Sequence, residues 1–90
     1  MKVIKLHNKH VLGRFGFTHA FRFDCENKQS DDVRKALYQL HQDKQPWNRY
    51  WHYNNQTAPW GYYKSPKKTK TPYWIGVKNE ADITAVLLMM

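Results

Sequence analysis

Cysteine is almost missing from this chain of 90 residues: Cys25 is the single one, so no intrachain disulfide can form. A small secreted domain without disulfides would be unusual. Long apolar runs are missing as well. The opening Met1-Lys2-Val3-Ile4-Lys5-Leu6-His7 has no stretch suited to a secretory signal. Nowhere does the chain approach the roughly 20 consecutive apolar residues of a membrane span. An intracellular, soluble, cytoplasmic protein is the expectation. Acidic residues are scarce too, seven against 15 Lys and Arg, for a net charge of +8 and a pI near 9.8. Such a surplus on a small body sets up a positive field that favours a polyanionic partner.

Further absences narrow the chemistry. The four glycines form no phosphate-cradling loop: Gly13-Arg14-Phe15-Gly16-Phe17 lacks both the spacing and a following helix. There is no Gly-x-Ser-x-Gly nucleophile pattern. Structural zinc needs four ligands, and His7 and His10, three apart, with His19, His41 and His52 scattered, do not supply them beside one cysteine. No metal site and no cofactor are expected. The lysines are interspersed with prolines, and no basic amphipathic helix suggests a membrane surface.

What is present fits one domain, residues 1–90. Residues 1–12 suit a short strand or two, and Gly13 and Gly16 suggest a turn or bulge. From 15 to 25, Phe15, Phe17, His19, Phe21, Phe23 and Cys25 occupy the odd positions, which predicts a strand with an aromatic core face and Cys25 as a small core residue. Ser30, Asp31 and Asp32 open a helix over about 31–44, with Val33, Ala36, Leu37 and Leu40 at helical spacing and Pro46 beyond its end. Residues 47–53 suit a strand, 54–59 a turn, and Trp60-Gly61-Tyr62-Tyr63 the start of another strand. Residues 64–72, with Pro66 and Pro72, predict an exposed, mobile Lys/Pro loop. Tyr73 to Lys78 reads as a strand with Tyr73, Ile75 and Val77 on one face and Trp74 on the other. Asn79 caps a short C-terminal helix, although residues 86–90 could instead close the sheet as a strand. The predicted core is Phe17, Phe21, Phe23, Val33, Leu37, Leu40, Ile75, Val77, Ile83 and Leu87. The fold class is α+β: a mostly antiparallel sheet with the main helix and the C-terminal helix on one face, ferredoxin-like or incompletely so.

The ending Tyr73-Trp74-Ile75-Gly76-Val77-Lys78-Asn79-Glu80-Ala81-Asp82-Ile83 resembles the close of many small bacteriophage-encoded proteins, a strand followed by Lys-Asn/Asp-Glu-Ala-Asp and an amphipathic tail. The resemblance covers about the last eighteen residues. It implies a compact α+β body acting inside a bacterium, and it raises host-directed inhibition as a role. It carries over no functional residue. The tail here ends Leu87-Leu88-Met89-Met90 where that group often has a Phe-x-Leu-like strand.

Function is read from the aromatic and basic residues. Seven of the fourteen aromatic residues fall within 47–63. Single-stranded nucleic acid is held by stacked rings and a basic groove. Trp47, Tyr50, Trp51 and Tyr53, with Trp60, Tyr62 and Tyr63, supply rings, and Trp74 adds one from the next strand. Lys64, Lys67, Lys68 and Lys70 follow at once, Arg49 and His52 lie among the rings, and Arg14 adds charge. The expectation is a non-enzymatic basic protein that binds RNA or single-stranded DNA through one face running from Trp47 to Trp74. Broad rings also fill the interior of small sheets, and some of the seven serve there. Two other functions use the same residues. One is a phage inhibitor of a host nucleic-acid-processing complex, such as an anti-CRISPR or a polymerase or nuclease inhibitor, because Trp, Tyr and Arg are typical interface anchors. The other is a metal-independent ribonuclease of toxin type built on His52 and Arg49.

Overall fold

The computed structural model describes residues 1–42, 44–48, 57–65 and 71–90. The elements run β1 (Lys2–Lys5), α1 (Val11–Arg14), β2 (His19–Phe23), α2 (Lys28–Leu40), β3 (Trp47–Asn48), β4 (Trp60–Lys64), β5 (Tyr73–Val77) and α3 (Glu80–Met89). The five strands form one sheet in the order β1-β2-β5-β4-β3. All neighbours are antiparallel except β3 and β4, which are parallel. β2, β3 and β4 therefore point the same way with β5 reversed between β2 and β4, and α2 leads from β2 to β3, a split β-α-β arrangement. The fold is α+β and of ferredoxin-like type. The place beside β2 that a closing C-terminal strand would take is held by β1. Residues 80–89 are helical, which resolves the alternative for the C-terminal end.

One face of the sheet lies under α2 and α3. Phe21, Phe23, Trp60, Tyr73, Ile75 and Val77 rise from the strands to meet Val33, Ala36 and Leu37 of α2 and Ile83 and Val86 of α3. Each large apolar side chain so buried contributes about 1.5–3 kcal/mol. Two expected core residues are not there: Leu40 is 39% exposed at the last turn of α2, and Leu87 is 45% exposed on α3.

α2 starts and stops earlier than its charge pattern suggests. Asn27, not Ser30, is the N-cap. The Asn27 side chain accepts the Ser30 N–H at 2.9 Å, and the Ser30 hydroxyl accepts the Asn27 N–H at 2.9 Å. This reciprocal pair satisfies two N–H groups that the first turn leaves without helical partners. At the other end the His41 N–H closes on the Leu37 carbonyl, and the His41 ring meets the Asp82 carboxylate at 2.9 Å, tying the end of α2 to the first turn of α3.

The opposite face carries a second core. Leu12, Phe17, Trp47 and Ala58 are buried there, with Leu6, Val11, Phe15, Tyr63 and Trp74 packed around them. The strand expected over 15–25 is confined to 19–23. Gly16, at φ +91°, turns the chain in a conformation that favours glycine, and the Phe17 N–H returns to the Leu12 carbonyl. Phe15 and Phe17 thereby pass beneath the sheet while Phe21 and Phe23 stay above it. Cys25 lies past the end of β2 and is exposed, not a core residue. Close approach on this face depends on glycine. A Cβ at Gly61 would stand 2.8 Å from the Trp47 Cβ, and one at Gly76 would stand 3.1 Å from the Leu12 Cδ1.

Candidate nucleic-acid interface

The strand register assembles a row of side chains on the face opposite α2 and α3. Lys2 pairs with Arg22, Arg22 with Trp74, and Trp74 with Tyr63. Directly opposed residues share a face with Cβ atoms about 4.5–5.5 Å apart. The row crosses β1, β2, β5 and β4, three interstrand steps or about 14 Å. Two cations therefore lead into two rings. Trp74 and Tyr63 have centroids 5.7 Å apart with planes inclined 31°, and both are half-buried. Arg22 keeps 38% of its side chain exposed, and its nearest carboxylate, Asp24, is 4.0 Å away and 96% exposed, a contact of little energetic weight.

His10 fixes the inner edge of the row. Its Nδ1 accepts the Leu12 N–H at 3.1 Å as the cap of α1. Its ring stands edge-on to Trp74 at 4.9 Å and to Tyr63 at 6.0 Å. Burial lowers the His10 pKa below its ordinary value, so the neutral ring prevails at neutral pH.

The expected single face from Trp47 to Trp74 is divided among three environments. Trp47 and Trp60 are 1% and 0% exposed, one in each core, and their indole N–H groups are buried, so neither ring is open to a partner. Trp60 lies among the rings under α2, 5.0 Å from Tyr38. Tyr62 and Lys64 belong to the helix side: the Arg34 guanidinium lies 4.7 Å over the Tyr62 ring, and Lys64 sits 3.9 Å from Glu26. Among the described residues, Tyr63 and Trp74 are the expected rings left partly open on the opposite face, where Trp47 is sealed inside the second core. Arg14 is exposed in α1. Arg49, Tyr50, Trp51, His52, Tyr53, Lys67, Lys68 and Lys70 lie outside the described residues, as does the pairing of His52 with Arg49 that a ribonuclease would need.

Lys2, Arg22 and His10 were absent from the sequence-based set. Arg22 had a usable signal, since it alternates with Phe21 and Phe23 and so had to face away from them. Lys2 had none, because its place beside Arg22 depends on the pairing of two distant strands.

Among the described residues no helix is long and apolar enough to cross a membrane. No family model matches the chain, and no curated protein or solved structure matches it significantly.

Proposed function

We propose that the protein binds single-stranded nucleic acid across the row Lys2, Arg22, Trp74 and Tyr63, without catalysing a reaction on it. The observation that carries this reading is the register itself, which sets two cations and two half-buried rings side by side on one sheet face. Rings stack on bases with little regard for sequence, and the adjacent cations take the phosphates. The net charge of +8 draws the strand in from a distance.

Fluorescence anisotropy of a labelled single strand tests it. Affinity should fall steeply as salt rises, and Arg22→Ala should reduce the log–log slope by about 0.7. Trp74→Ala should weaken binding by about 1–3 kcal/mol at every salt concentration. If both variants keep the parent affinity and melting temperature, the row is not the contact surface. A bacterial protein that stays bound in a pulldown after nuclease treatment, with weak binding to bare strands, would instead put a protein partner on this face.

A further inference from the structure

The fold uses only part of α3. From Ile83 to Met89 six of its seven residues are apolar, and after Asp82 it has no charged side chain. A helix that is apolar on every side is ordinarily covered on every side. Of these residues only Ile83 and Val86 are buried in the core. Leu88 is 82% exposed, and Leu87, Met89 and Met90 are each open by about half. Beside them a shallow groove of about 550 Å³ runs between α2 and the end of α3, walled by Asp32, Lys35, Ala36, Met89 and Met90. Four large apolar side chains this open make a patch on the order of 400 Å², a size that is often functional. The groove and the polar margin on α2 extend it toward the ~800 Å² per partner of a standard interface.

The charge around the patch indicates what covers it. α2 and α3 together carry Lys28, Arg34 and Lys35 against Asp31, Asp32, Glu80 and Asp82, a balance of −1 in a chain of +8. The positive surplus therefore lies on residues outside these two helices. Two helix layers of this kind can approach each other without the repulsion that the basic surfaces would impose. The margin of the patch is also self-complementary. Asp32 and Lys35 stand about one turn apart on α2, one acid and one base on the wall of the same groove. A two-fold axis sets Asp32 of each copy against Lys35 of the other, as an isologous contact requires.

We infer that α3 packs against α3 of a second copy of this chain about a two-fold axis. Leu88 lies in the middle of the contact, with Leu87, Met89 and Met90 around it, and Asp32 and Lys35 pair across the margin. The pairing leaves Lys2, Arg22, Trp74 and Tyr63 on the outer side of each copy, because that row lies on the sheet face away from both helices. The dimer stands whether or not the row binds a strand.

Sedimentation velocity over concentrations from about 1 μM to 1 mM is the measurement. The mass should rise with concentration and level at two copies. Leu88→Glu changes a side chain that the monomer leaves in solvent. It should weaken association roughly 30-fold or more while the melting temperature of the dilute protein stays the same. Asp32→Lys and Lys35→Asp should each stay monomeric at concentrations where the parent dimerises. An equal mixture of those two variants should dimerise, since each then meets the opposite charges on the other. A mass that remains at one copy throughout, or that climbs past two, would overturn the proposal. So would a Leu88→Glu variant that dimerises like the parent, or a mixture that stays monomeric. If monomeric protein instead cosediments with phosphatidylcholine vesicles and Leu88→Glu abolishes this, a lipid surface covers the patch and the second copy does not.

Discussion

At the scale of single residues, His10 links the second core to the candidate interface. It caps α1 through a ring nitrogen that must be unprotonated, and the same ring supports Trp74 and Tyr63. Folding holds His10 below its ordinary pKa of 6.5, so the unfolded chain takes up the proton first. The stability contributed by neutral His10 is present above about pH 6.5 and falls as acid titrates the ring. The His10 ring protons should titrate with an NMR midpoint below 6.5, and a midpoint at or above that value would contradict the packing described. His10→Asn keeps a capping side chain and removes the titration, so its stability should lose less on acidification than the parent's. Residue-scale legibility was uneven. Alternation placed Phe21, Phe23, Ile75 and Val77 correctly because those residues lie within strands. It misplaced Phe15, the side of Phe17, and Cys25, because a strand's period has meaning only while the chain stays extended. Gly16 interrupts it on one side and the end of β2 on the other.

At the scale of elements, the two long helices were legible and their limits were not. Helical spacing located Val33, Ala36 and Leu37, but Ser30 followed by two acids imitated an N-cap three residues inside the true one. Asn27→Ala removes one half of the reciprocal cap and should destabilise the protein by about 1 kcal/mol. The measurement is a lower urea midpoint with an unchanged slope. An effect on that scale from Asn27 and not from the exposed Gln29 would locate the start of α2 in solution. β4 explains why ring-rich segments resist sorting by sequence. Trp60 and Tyr62 face α2 while Gly61 and Tyr63 face the other core, and both sides of the strand are covered. Composition alone could not say that Trp47 and Trp60 fill the interior while Tyr63 and Trp74 remain half-exposed. That distinction depends on register between strands far apart in the chain.

At the scale of the whole molecule, positive charge opposes compactness. Seven carboxylates stand against 15 Lys and Arg, and the ion pairs of Arg22, Arg34 and Lys64 span 3.7–4.0 Å. Moderate salt should therefore raise the melting temperature while weakening nucleic-acid binding, two opposite responses to one variable. A melting temperature that falls between low and physiological salt would mean that attractive pairs dominate. Lys2 and Lys5 also sit on β1, an edge strand with Val3 44% exposed, and lysines on an edge discourage pairing with a second sheet.

The position of β5 has a consequence for how the protein is made. It follows the other four described strands in the chain, yet it is the middle one in the sheet, bonded to β2 on one side and β4 on the other. While residues 73–77 are still within the ribosome, β2 and β4 have no hydrogen-bonded connection, and Phe21, Phe23 and Trp60 have no shared surface to close upon. The rings of β2 and β4 thus stay unjoined until residues 73–77 have emerged, and the sheet closes only then.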